Sequence, residues 1–130
     1  MRETELTVAF YQRNFTREEW RKAFDEQQLD SLFVRLAQDL APLGIRLRRV
    51  EDAGVTLDIK GYGDLLNSVR IRCPQHGVGN TCLGHIIGRS ANLNLLEDIE
   101  RGINRVAFAP ETVEPEGSDK IVCHNCGCGC

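Results

Sequence analysis

The chain has 130 residues, 42% hydrophobic and 27% charged, with 16 Lys and Arg against 19 Asp and Glu and a formal charge of −3. That length suits one domain burying about two-thirds of its unfolded surface without need of disulfides. The balance excludes a collagen-like chain and a strongly cationic nucleic-acid coat, and no apolar run approaches the roughly 20 residues that span a bilayer.

Met1-Arg2-Glu3-Thr4-Glu5 lacks the basic-then-apolar pattern of a signal peptide, so a cytoplasmic location is the expectation. Glu5 to Tyr11 reads as a strand with Leu6, Val8 and Phe10 on one face. Thr16 then reads as a helix N-cap. Glu19 completes a capping box, and Phe15 and Trp20 stand at the hydrophobic-staple positions. This helix runs to about Glu26, presenting Trp20, Ala23 and Phe24 to the core. A second helix, from about Asp30, carries Leu32, Phe33, Leu36, Ala37 and Leu40 at helical spacing and stops at Pro42 and Gly44.

Ile45 to Val50 alternates, with Ile45 and Leu47 inward and Arg46 and Arg48 outward; Arg46, Arg48 and Arg49 make a local basic patch. With Glu51 to Gly54 as a turn and Val55, Leu57 and Ile59 as the next face, a hairpin is expected. Gly61 to Asn67 reads as a glycine-flanked connection. Val69, Ile71 and Cys73 then alternate with Arg70 and Arg72 in another strand. An irregular Cys/His segment leads to a helix from Ala91 to Arg101 burying Leu95, Leu96 and Ile99, and Arg105 to Ala109 reads as a last strand. The acids along these helices, among them Asp25, Asp30, Glu97, Asp98 and Glu100, read as a solvated face.

The fold expected is a small α/β domain over residues 1–110, a two-layer α+β sandwich with a mixed sheet. The order helix pair, hairpin, turn, strand, helix resembles thioredoxin-like arrangements. An acidic linker, 111–120, and a cysteine-rich tail, 121–130, follow. Charge runs from +1 over residues 1–50 to −1 over 51–110 and −3 over 111–130. An acidic, thiol-rich end attracts a cation and repels a phosphate backbone, which disfavours nucleic acid as a partner.

All six cysteines lie beyond residue 72. In a reducing compartment such clustering points to metal binding or thiol chemistry rather than a disulfide framework. Cys73, His76, Cys82 and His85 form the pattern C-x2-H-x5-C-x2-H. Two residues between ligands let one tight turn aim both side chains at a tetrahedral Zn²⁺. Against this, Cys73 continues the inward face of its strand as a small hydrophobe, and His85 can bond a backbone carbonyl. Cys82, just after a candidate cap at Thr81, can instead be a helix-terminal nucleophile.

The sharper signal is Cys123-x2-Cys126-x-Cys128-x-Cys130. Alternating glycines contribute little to a core but let the chain wrap closely round an ion. Soft thiolates select Zn²⁺, with Cu(I) or an iron–sulfur cluster as alternatives. His124 is an auxiliary ligand candidate. Cys-x-Cys spacing cramps a four-thiolate site made from this string alone, so sharing is easier: Cys123 and Cys126 complete a site with Cys73 or Cys82, while Cys128 and Cys130 take a second ion or stay free. The leading expectation is thus a metal-binding sensor, carrier or metallocentre assembly factor. Its alternatives are a thiol-disulfide oxidoreductase or sulfur-transfer enzyme using Cys82 or Cys126, and a metal-stabilised interaction module. Tail ligands shared between two copies would also make a homodimer. No nucleotide-binding loop or nucleophilic triad stands out.

Overall fold

A computed structural model describes residues 4–23, 25–88 and 94–113. Four strands form one mixed sheet: β1 (Thr4–Phe15), β2 (Ile45–Ile59), β3 (Val69–Cys73) and β4 (Val78–Cys82), in spatial order β2-β1-β3-β4. β1 runs parallel to β2 and antiparallel to β3, and β3 runs antiparallel to β4. The helices are α1 (Glu18–Ala23), α2 (Glu26–Leu40), α3 (Tyr62–Ser68), α4 (Leu83–Ile87) and α5 (Leu95–Phe108). The result is a small mixed α/β domain.

Period-two alternation gives this sheet two unlike faces. Leu6, Val8 and Phe10 of β1 and Val69, Ile71 and Cys73 of β3 enter the core. There they join Leu29, Leu32, Phe33, Leu36 and Leu40 of α2 and Ile99, Ile103 and Val106 of α5. The pairing register places Glu5, Thr7, Ala9 and Tyr11 on the other face with Arg46, Arg48, Val50, Asp52, Arg70 and Arg72.

The expected hairpin at Glu51–Gly54 does not form. Both halves of β2 pair in parallel with β1 instead, Tyr11 opposite Asp52 and Gln12 opposite Thr56. Ala53, Gly54 and Val55 are thereby left as a bulge, beside which the Gly54 N–H donates to Asp52 Oδ1 at 3.0 Å. A local turn signal yields here to a neighbouring strand long enough to receive both segments.

Thr16 does not cap α1. Its hydroxyl donates to the Ile59 carbonyl at 2.8 Å and ties the end of β1 to the end of β2. The break between the first two helices falls at Asp25, whose carboxylate accepts from Gln28 N–H at 3.1 Å and caps α2. Ala23 and Phe24, expected in the core, have side chains outside the described residues. Ala37 is only half-buried.

The glycine-flanked connection folds as α3, which buries Leu65 and Leu66. Asn94 caps α5, accepting from Glu97 N–H at 3.1 Å. Residues 91–93, expected as the first turn of this helix, lie outside the described residues. α5 continues to Phe108, so Arg105–Ala109 is not a strand: Ile99, Ile103 and Val106 keep the helical spacing and are all buried. Asp98 leaves the solvated face predicted for it. It is 1% exposed, accepts from the Tyr62 hydroxyl at 2.5 Å and pairs with Arg101 at 3.3 Å.

Arg49 fastens α2 to the sheet. Its guanidinium lies 5.0 Å from the Phe10 ring centre and 5.6 Å from that of Phe33, and pairs with Asp30 at 2.7 Å. Gly102 sets the approach of α5 to α4, because a Cβ there would meet the buried Leu83 side chain and come within 3.2 Å of Ile71 Cδ1. Gly102→Val should therefore overpack this contact and cost about 1–3 kcal/mol in urea unfolding; an unchanged midpoint would show that the contact is not close-packed.

Candidate functional site

The Cys/His segment is a hairpin bent over one end of the sheet. β3 ends at Cys73, a 3-10 turn covers Pro74–His76, Gly77 takes the left-handed conformation at φ 74°, and β4 returns to Cys82. β4 escapes sequence reading because its stretch Val78-Gly79-Asn80-Thr81-Cys82 contains two poor strand formers.

The hairpin does not gather its four candidate ligands. Cys73 lies in the helix-facing core, whereas Cys82 pairs with Arg70 and so falls by register on the other face. Both thiols are fully buried. Burial pushes the Cys73 thiol up, against a smaller downward pull from the His76 backbone N–H. His76 turns away toward α5, its Nδ1–H donating to the Val106 carbonyl at 2.8 Å.

Cys82, rather than Thr81, is the residue preceding α4. Its Sγ accepts the His85 backbone N–H at 3.4 Å, and the His85 side chain is half-buried. Among the described residues no group of three or more His, Cys, Asp or Glu side chains could hold a metal ion. Cys123, His124, Cys126, Cys128 and Cys130 lie outside the described residues.

Beside Cys82 the structure assembles a polar cluster that sequence reading missed. Arg70 is fully buried. Its Nε donates to the Asn67 carbonyl at 3.1 Å, its Nη2 to Asn67 Oδ1 at 2.5 Å and its Nη1 to the Asn80 carbonyl at 3.2 Å. The guanidinium carbon lies 5.2 Å from the Tyr11 ring centre, and Asn80 Nδ2 donates to the Tyr11 hydroxyl at 2.8 Å. Fixed donors and a stacked ring hold this arginine as a rigid part of the sheet. Alternation along β3 puts Arg70 on that face; that the face is covered there cannot be read from the strand.

Comparison of the chain with protein-family models, curated proteins and solved structures finds no match.

The Cys73 environment sets a pH dependence. Its native pKa is raised, so the unfolded chain loses this proton first, and stability falls as pH rises from the ordinary thiol value, about 8.5, toward the higher native one. Unfolding midpoints between about pH 7.5 and pH 9.5 should fall less in Cys73→Ala than in the parent chain. Equal slopes would show that Cys73 titrates like an exposed thiol.

Proposed function

We propose that the protein binds a soft metal ion through its C-terminal cysteine cluster, with the α/β domain as the scaffold that carries it. The observation that carries this reading is the spacing of Cys123, Cys126, Cys128 and Cys130, four thiols in eight residues separated by His-Asn, Gly and Gly next to an acidic stretch. Such a string has soft donors, a wrapping backbone and no apolar side chain to bury. The geometry of the folded part supports assigning the ion to this cluster rather than to the hairpin. Cys73 is sealed among apolar side chains, His76 is engaged with Val106, and the sheet stands between the two thiols of the pattern.

Zn²⁺ is the ion this reading favours, held by thiolates that lose their protons on binding, so affinity rises with pH through the thiol range. Cu(I) and an iron–sulfur cluster are the alternatives that the same donors serve. A role as sensor, carrier or assembly factor fits an ion held by these thiolates.

A second reading, thiol-disulfide exchange, draws on the order of elements. The succession β-α-α-β-α-β-β-α-α, with β1 between a parallel and an antiparallel neighbour, favours a thioredoxin-like arrangement. The turn after β1, Phe15-Thr16-Arg17-Glu18, carries no cysteine, so the exchanging dithiol in this reading is Cys123 with Cys126.

Metal analysis after anaerobic purification of the full chain separates these readings. The parent and Cys73→Ala should both retain zinc in stoichiometric amount, and Cys126→Ser/Cys128→Ser should lose it. Metal retained by the tail variant but lost from Cys73→Ala would move the site into the hairpin. No metal in any of the chains would leave the dithiol reading. Broad visible absorption in the parent would change the ion to an iron–sulfur cluster.

A further inference from the structure

β2 is an edge of the sheet. It pairs with β1 on one side, and on its other side no described strand meets it. One bond shows which of its backbone groups point outward. The Thr4 N–H donates to the Gly44 carbonyl at 2.8 Å while Thr4 stands opposite Ile45. In a parallel ladder alternate residues turn both N–H and C=O toward the same neighbour. Residues 46, 48 and 50 therefore bond β1, and Leu47, Arg49 and Glu51 turn their backbone groups away from it. A row of such groups is a template for another strand.

Proline, bulges and charge are the means by which such edges are blunted. β2 contains no proline, and its bulge at residues 53–55 leaves 45–52 in regular register. Its charges suit a second copy. Arg46-Leu47-Arg48-Arg49-Val50-Glu51-Asp52 is basic before Val50 and acidic after it. Turned antiparallel on itself about Val50, the stretch sets Arg49 opposite Glu51 and Arg48 opposite Asp52. An axis at Arg49 would instead oppose Arg49 to itself, and an axis at Glu51 would oppose Glu51 to itself. All three registers match outward backbone groups with outward ones, so charge selects the one centred on Val50.

We propose that two copies of the chain associate through β2, antiparallel about Val50, so that one sheet runs through both. Arg49 of each copy exchanges backbone bonds with Glu51 of the other, and the two Val50 side chains meet on the axis. Arg48, Arg49 and Asp52 already hold Glu5, Asp30 and Arg72 within the chain. The crossed charges therefore extend existing networks and fix the register, while the backbone bonds supply the attraction. A two-fold contact of this kind is self-complementary and closes as a dimer. The bulge confines the ladder to residues 48–52, so the association is weak. It is separate from the metal reading, since it needs neither the tail cysteines nor an ion.

Sedimentation equilibrium of the reduced full chain with chelator present, from about 10 μM to about 1 mM, tests it. A monomer–dimer equilibrium is expected. Glu51→Pro removes an outward N–H that makes no bond to β1, and should weaken dimerisation at least about tenfold. Glu51→Arg, which sets arginine against the partner's Arg49, should also weaken it. Amide exchange in α5 is the control that both variants are folded. In the parent chain the Arg49 and Glu51 amides should exchange more slowly as protein concentration rises. A monomer at every concentration, or a dimer that both variants leave intact, would overturn the proposal. Slow exchange at Arg49 and Glu51 that ignores concentration would overturn it too, by giving this edge to another part of the same chain.

Discussion

Everything chemical in this protein depends on the two-sidedness of its sheet. Along β3 the side chains of Val69, Ile71 and Cys73 go into the core while Arg70 and Arg72 go to the opposite face. One alternation therefore decides both which thiol is sealed and where positive charge collects. Slipping β3 by one residue would take the apolar set out of the helix-facing core and set both arginines among Leu and Ile, so a buried face defines the register strongly. Position 73 takes cysteine as it would a small hydrophobe, since the neutral thiol loses little in leaving water.

From this follows a division of labour between the domain and the segment after it. Burial protects Cys73 from ions and oxidants and raises the free energy of its charged form. Thiols that bind a cation need the reverse, an environment in which the thiolate forms readily. The acidic stretch from Glu111 to Asp119 adds negative charge next to the tail thiols, favourable for a cation in place. It also disfavours four thiolates standing together without one. Capture of the ion and release of thiol protons are therefore one coupled event in this account.

Much of the fold could be read from the order of residues, and its failures have physical causes. The core face of β1, the apolar stripe of α2, and the alternation of Ile45–Val50 and Val69–Cys73 rest on periodicity, which the packed structure reproduces. The supposed hairpin failed because Glu51–Gly54 carries a genuine turn signal, while parallel pairing to β1 is a long-range contact that no local pattern reports. Asp98 reads as a surface acid until Tyr62, thirty-six residues earlier, delivers its hydroxyl. In the hairpin, ligand-like spacing pointed to a site. The alternation that also marked Cys73 as inward-facing, read together with the hairpin's pairing, shows why Cys73 and Cys82 diverge. The arginine patch likewise divides, Arg46 and Arg48 to the open face and Arg49 over Phe10 and Phe33.

The decisive observable is the donor set round the metal proposed for the full chain, read by X-ray absorption at the zinc edge. The account requires a shell of four sulfurs at about 2.3 Å, the set offered by Cys123, Cys126, Cys128 and Cys130. A shell of two sulfurs and two nitrogens, with the nitrogens at about 2.0–2.1 Å, is what Cys73, His76, Cys82 and His85 would supply, and it would contradict the account.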